Sequence, residues 1–149
     1  MIRIIAVGRM KDKRLAALAD DFLKRIRPMA PVEVLEIKDS QPDKEGREMV
    51  ARLGSAAGAG MTIALDERGR QFSSEEFAGQ LRKWQESGHR TLAFAIGGAD
   101  GLDRAVTDRA TLLLALGRMT WPHMMARCML VEQLYRAQQI QAGHPYHKG

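Results

Sequence analysis

At 149 residues and 16.6 kDa the chain has room for one domain with a real core and not for two, and 45% hydrophobic with 28% charged residues excludes a disordered or collagen-like polymer. No apolar run approaches the roughly 20 residues needed to cross a bilayer, and mean hydropathy is -0.29. A net charge of +5 and a pI near 9.7 favour polyanionic partners, a balance shared with many proteins that bind none, while 5% aromatic residues leave little for a base-stacking platform.

Residues 2–7, IRIIAV, form a β-branched run closed by Gly8 and predict a strand. From Asp12 to Arg27, Leu15, Leu18, Phe22 and Ile26 recur at helical spacing, and Pro28 with Pro31 brackets the turn that follows. VEVLEI at 32–37 alternates as a half-buried strand does, and Asp39–Asp43 is a loop. Met49, Leu53 and Ala56 predict a helix running to Ala57, ended by the turn-rich Gly54–Gly60. MTIAL at 61–65 is a third strand. Ser73 and Glu76 spell a capping box for a helix that buries Phe77, Leu81 and Trp84 and stops at Gly88. TLAFAI at 91–96 is apolar throughout, as expected of a strand covered on both faces, and Gly97–Gly101 turns into a further helix. After Met119 comes a last helix, from about His123 to Ala142, then the tail to Gly149.

Alternating strands and helices predict an α/β fold, a three-layer α/β/α sandwich around a mostly parallel sheet, in a single domain over 1–149. Apolar side chains occupy every quadrant of the last helix, with Arg127, Glu132 and Arg136 among them. Such a helix is covered on most sides. A second copy in a two-fold dimer is the expected cover, and a central helix inside one subunit is the alternative.

In an open parallel sheet, ligands bind beyond the carboxyl ends of the strands. Three loops qualify, those following Leu65, Ile96 and Met119. Gly97 and Gly98 would let a ligand approach the main chain closely, or serve only as a tight turn. Neither a Walker A loop nor a GxGxxG fingerprint is present. His144 and His147 have no cysteine nearby and a proline between them, so no metal site is expected. The lone Cys128, inside a buried helix, reads as an inert hydrophobe, and it permits neither a disulfide nor a zinc cluster. The N-terminus has its charges after a very short apolar stretch, the wrong order for a secretory signal, so a cytoplasmic protein without membrane association is expected.

Four segments carry a family resemblance: IRIIAVGRMKD at the start, ALDERGRQFSSEEFA at 64–78, AFAIGGADGL at 93–102, and above all RMTWPHMMARCMLVEQLYRAQQIQAGHPYHK at 118–148. They resemble the SPOUT-class ribosomal RNA large-subunit methyltransferase H family over essentially the whole chain. The resemblance implies an S-adenosylmethionine-dependent enzyme that methylates N3 of a pseudouridine in large-subunit RNA. It also implies action on the assembled ribosome, a homodimer, and a C-terminal part threaded into a deep trefoil knot, against the general rarity of threaded chains. Carried over by position, the cofactor residues are Leu65, Gly97, Leu116, Gly117, Arg118, Met119, Thr120 and Trp121.

Methyl transfer from a sulfonium needs positioning and no metal or covalent intermediate, and a base or cation near the weakly acidic imide N–H would assist it. Within the resembling segments the catalytic candidates are Arg127, Tyr146 and His147, with Glu132 and His144 behind them. Equally open is a structural reading in which Arg127 pairs with Glu132 or a phosphate and the tail only closes the site. Arg9, Lys11, Lys13, Arg14, Arg104, Lys148 and the Arg68-Gly69-Arg70 loop are candidate RNA contacts. Two departures from the family pattern are a short loop after Ile37 and Trp121 where Leu or Phe is usual. A ribosome-binding module without catalysis and an unrelated nucleotide-binding α/β protein are the competing readings.

Overall fold

The structure, a computed structural model, describes residues 1–54 and 60–148. The expected end of the second helix at Ala56 and Ala57 lies outside the described residues. In chain order the elements are β1 (Ile2–Val7), α1 (Lys13–Ile26), β2 (Val32–Ile37), α2 (Pro42–Gly54), β3 (Gly60–Arg70), α3 (Ser74–Glu86), β4 (Thr91–Ile96), α4 (Arg104–Thr107), β5 (Leu112–Leu114) and α5 (His123–Gln141). The strands form one sheet in the order β2-β1-β4-β3-β5, and every pairing is parallel.

Alternate residues of β1 point to opposite faces, as the pleat requires. Ile2, Ile4 and Ala6 pack with Leu23 and Ile26 of α1, Phe77 and Leu81 of α3, and Leu130 and Leu134 of α5. Ile5 and Val7 pack with Met49 and Leu53 of α2 and Val106 of α4. On β4 every residue after Thr91 is buried, as its uniformly apolar sequence predicts. Local signals hold as well. Asp12 caps α1 by accepting the Arg14 and Leu15 N–H groups, and Ser73 with Glu76 forms the reciprocal capping box of α3.

Three expectations are corrected. The α1 face that enters the core is Ala19, Leu23 and Ile26. Of the expected stripe Ile26 is buried as predicted, while Leu15, Leu18 and Phe22 line a cavity wall, with Phe22 also packed against the core. The expected strand 61–65 runs on to Arg70, with a register break between Leu65 and Arg70. The break has a local cause: Asp66 Oδ1 accepts the Arg68 N–H at 2.8 Å, and an ideal Cβ on Gly69 would lie 2.5 Å from the Leu113 carbonyl carbon, so only glycine fits there. The third sheet-end loop begins at Ala115, because β5 ends at Leu114 and not after Met119. The helix expected after Gly101 forms as the short α4, Arg104–Thr107.

Helix α5 packs against α1 and α3. Eight of its nineteen residues are buried by the chain itself, Met125 is exposed, and the others are half-buried.

Candidate functional site

The sheet register gathers three strand ends. Ala64 lies opposite Ala95 and Leu65 opposite Leu114, so the chain leaves β4 at Gly97 and β5 at Ala115 on either side of Leu65. At Gly97 the loop closes on itself. An ideal Cβ there would lie 2.5 Å from the Gly101 carbonyl carbon, and the Gly101 N–H donates to the Gly98 oxygen at 3.0 Å. Glycine at 97 is thus demanded by the tight turn itself.

The loop from Ala115 to Pro122 is pinned beside the β3 extension. Ala115 N–H donates to Arg70 O at 2.9 Å, the Thr120 hydroxyl donates to the Glu67 carboxylate, and Trp121 Nε1 donates to Leu116 O at 3.2 Å. Trp121 therefore folds back over its own loop. Leu116 and Gly117 are half-buried, whereas Arg118, Met119, Thr120 and Trp121 are exposed. Gly117 sits at φ +103° with no atom within 4 Å of an ideal Cβ, so the space beside its main chain is open.

Leu116 and Gly117 also line a cavity of about 550 Å³ between α1, α5 and the loop entering α3. Its walls are mainly apolar, including Leu15, Leu18, Phe22 and Met129, with polar groups from Ser73, Ser74, Glu132 and Gln133. Leu65, Gly97, Arg118, Met119, Thr120 and Trp121 are not among its lining residues, and neither are Arg127, Tyr146 and His147.

The catalytic candidates separate. Arg127 is turned inward: Nη1 donates to Glu36 Oε2 at 2.6 Å and Nη2 to Gly8 O at 2.8 Å. Of the partners left open for Arg127, Glu132 is not the one: Glu36, reached across the strand ends, takes the guanidinium. Burial works to raise the Glu36 carboxyl, but the Arg127 bond, the Met10 N–H bond and the charges of Arg127 and Arg9 outweigh it and hold the group below its usual value.

Tyr146 and His147 meet the other half of α5. Glu132 Oε1 accepts from Arg136 Nε at 2.9 Å and from the Tyr146 hydroxyl at 3.1 Å. Arg136 Nη1 lies 2.9 Å from His147 Nδ1, and His147 Nε2 lies 2.8 Å from Glu75 Oε1 on α3. The Tyr146 ring stands edge-on to Tyr135 at 4.8 Å, with the Arg136 guanidinium 5.0 Å over its centroid. Burial first, then the charge and hydrogen bond of Glu132, push the Tyr146 phenol above its ordinary value, so it remains a protonated donor at neutral pH. His144 Nδ1 accepts the Tyr146 N–H at 3.3 Å.

Cys128 is buried with Sγ 3.4 Å from Leu15 O, and burial pushes its thiol up. Among the described residues, no three His, Cys, Asp or Glu side chains gather to hold a metal, and no helix is long and apolar enough to cross a membrane. Of the candidate RNA-contact cations, Arg14 pairs with Asp12, Arg68 with Asp66 and Arg104 with Asp108, while Arg70 lies over Phe72. Arg9, Lys11, Lys13 and Lys148 are exposed. Glu36, Glu75 and Arg136 were not singled out as site residues from sequence. The signal for Arg136 was its i,i+4 spacing from Glu132, and for the other two there was none.

Comparison with known proteins gives consistent results. A family model described as a predicted SPOUT methyltransferase matches residues 1–147. The chain is 48% identical to a protein of Cereibacter sphaeroides named ribosomal RNA large subunit methyltransferase H, with 99% of this chain and 98% of that one covered. A protein of the same name from Paramagnetospirillum magneticum is 44% identical, with 97% of each covered. Among solved structures, a probable methylase family protein from Haemophilus influenzae superposes with a TM-score of 0.61 at 14% identity, covering 99% of this chain and 70% of that one. The SpoU methyltransferase AviRb from Streptomyces viridochromogenes, solved with its cofactor AdoMet, superposes with a TM-score of 0.50 at 9% identity, covering 94% of this chain and 58% of that one.

Proposed function

The chain belongs to the SPOUT methyltransferase family, and from that premise we propose that it is an S-adenosylmethionine-dependent methyltransferase of large-subunit (23S) ribosomal RNA. Its substrate is N3 of a pseudouridine, presented on the assembled ribosome in the cytoplasm, and its working form is a homodimer. The observation that carries this reading is the convergence of the Leu65, Gly97 and Ala115 strand ends at the carboxyl edge of one parallel sheet. We further assign the chain to a single domain over 1–149 with helices in two layers about the sheet and a C-terminal trefoil knot.

The residues fit the cofactor. A cavity of about 550 Å³, within the roughly 300 to 1,000 Å³ of small-molecule sites, opens beside this edge, and of the residues assigned to the cofactor Leu116 and Gly117 line it. The open main chain at Gly117 offers donors and acceptors beside it. Leu65, Gly97 and Leu116–Trp121 would hold the cofactor, which when bound supplies a methyl group on a positively charged sulfur. The chain's own task is then orientation. Tyr146 and His147 face the acceptor base, held there by Glu132 and Arg136. Arg127 acts as an internal clamp, tying α5 to the ends of β1 and β2. Exposed Arg9, Lys11, Lys13 and Lys148 grip phosphates, a contact that weakens with salt. Leu18 and Met125, 46% and 40% exposed at the cavity mouth, meet the second copy.

Titration calorimetry with S-adenosylmethionine should register binding, and no heat at millimolar ligand would sink the reading. Ribosomes incubated with methyl-labelled cofactor should carry label in large-subunit RNA. Cofactor binding without label would favour a ribosome-binding module lacking catalysis. Equal labelling of protein-free RNA would overturn the assembled-ribosome substrate. Sedimentation should give the mass of two chains, with Leu18→Glu shifting the protein toward one.

A further inference from the structure

The tail network has a member outside both the resembling tail and α5. Glu75, in the first turn of α3, places Oε1 2.8 Å from His147 Nε2. On the ring's other side Arg136 Nη1 lies 2.9 Å from Nδ1. A guanidinium only donates, so Nδ1 must accept, and the ring proton of a neutral His147 sits on Nε2. Nε2–H then donates to the Glu75 carboxylate. The ring is fixed from both sides, by a cation that demands a lone pair and an anion that demands a proton. A second tie runs alongside: the Ser74 hydroxyl donates to Gln133 Oε1 at 2.8 Å, and Gln133 Nε2 donates to Glu132 Oε2 at 3.1 Å. Consecutive residues of α3 thus reach the two carboxylate- and imidazole-bearing arms of one network.

We propose that Glu75 is a positioning residue for methyl transfer: it holds the Nε2 proton of His147 and so sets the ring plane and the seat of the C-terminal tail. The proposal rests on the reading of that tail as part of the methyl-transfer site. Glu75 acts only through His147 and touches neither cofactor nor acceptor base. Its own side chain is 66% exposed and His147's is 19%, so the bond closes the imidazole in from the solvent side. The carboxylate takes no proton in the reaction; it orients the imidazole as the carboxylate of an Asp–His pair does. With both ring nitrogens engaged, His147 has no free lone pair until Arg136 moves away from Nδ1. Glu75 keeps the ring in place if that happens, and an imidazolium formed at Nδ1 would remain paired with the carboxylate.

The test uses Glu75→Ala and Glu75→Gln in the full chain. Glutamine keeps an oxygen that accepts Nε2–H, and alanine does not. In the wild-type protein, NMR should show a slowly exchanging His147 Nε2 proton with Nδ1 unprotonated. That proton should persist in E75Q and vanish into solvent exchange in E75A. With ribosomes as substrate, E75A should lower kcat roughly tenfold or more, the scale of a misplaced reactive group, with KM for S-adenosylmethionine unchanged and E75Q restoring most of the loss. Three results would overturn the proposal: no protected ring proton in the wild type, wild-type turnover in E75A, or a loss in E75A that E75Q fails to restore. The third would mean that charge at the start of α3 is what matters. Failure of the wild-type protein to methylate ribosomes while the ring proton is protected would instead sink the proposed function and leave the Glu75–His147 bond standing.

Discussion

Helix α5 carries an arginine paired with a glutamate near each end, and the two pairs differ in where their remaining bonds go. At the first end, Arg127 is only 6% exposed in its side chain, and it is bound to Glu36 and to the Gly8 carbonyl. At the second end, Arg136 is 25% exposed, and its bonds run to Glu132 and His147, on the tail side. The same residue types on one helix thus divide into a clamp that faces the strand ends and a network that faces outward. Charge at the first holds the fold together. At the second it is partly open to solvent and bound up with the tail.

Replacing each arginine by methionine breaks this comparison most directly. Arg127→Met removes the cation and leaves Glu36 and the Gly8 carbonyl without it. Breaking a buried pair costs about 3 to 5 kcal/mol, and we expect about 3 here because the Glu36 side chain is 39% exposed. Arg136→Met should cost less than about 1 kcal/mol, as for partly exposed pairs, while lowering methyl transfer by far more than Arg127→Met does per molecule still folded. Urea unfolding and turnover on the same two variants decide this. A large stability loss in the Arg136 variant would dissolve the distinction.

The glycine loop belongs to the clamp's end of the sheet, since an ideal Cβ on Gly98 would lie 3.0 Å from Val7 Cγ1 and Arg127 Nη2 stands 3.5 Å from Val7 O. Gly97→Ala should cost about 2 kcal/mol through the collision with the Gly101 backbone, in the range of overpacking. It should weaken S-adenosylmethionine binding only as far as the loop is displaced. Calorimetry of the folded variant separates the two effects, and unchanged stability would mean that the loop yields easily.

These contrasts explain what the sequence reveals and what it conceals. The capping box at Ser73, the all-apolar β4 and the glycine turn after it are local, and each is legible from its own residues. On α1 the spacing puts Leu15, Leu18, Phe22 and Ile26 on one stripe, but the buried face is turned toward Ala19 and Leu23 and shares only Ile26 with it, so periodicity alone does not say which side enters the core. The short run TLLLAL fits strand or helix, and only its register against β3 makes Leu112–Leu114 a strand. The site divides the same way. Its loops follow from strand ends, but the partner of Arg127 lies 91 residues away and that of His147 lies 72 away. No local pattern marks Glu36 or Glu75.

A smaller effect is expected from Tyr146→Phe, which deletes the hydroxyl that donates to Glu132 at 3.1 Å and leaves the ring edge-on to Tyr135. The loss in stability should be no more than about 1 kcal/mol, the usual net worth of one hydrogen bond. Turnover should fall with cofactor affinity unchanged, as for an interaction made on the acceptor side. Equal losses in both would place Tyr146 at the cofactor instead.

The finest distinction between the two ends lies in their response to acid. Glu36 in the folded protein is held below its ordinary value of 4.5, so on acidification the unfolded chain binds its proton first. Its contribution to stability is therefore complete above about pH 4.5 and fades as pH falls through the lowered folded value. The difference in unfolding free energy between wild type and Glu36→Gln should stay level from pH 7 to about 5, then narrow below about 4.5. In an Arg127→Met background the narrowing should shrink, because the guanidinium bond and charge are among the causes of the shift. Glu75 is also lowered, first by its bond to His147, but its side chain is largely exposed and solvent screens it. Wild type and Glu75→Gln should then track each other across the same range. A pH-dependent gap at Glu75 as wide as that at Glu36 would mean that the tail network, too, is holding up the fold.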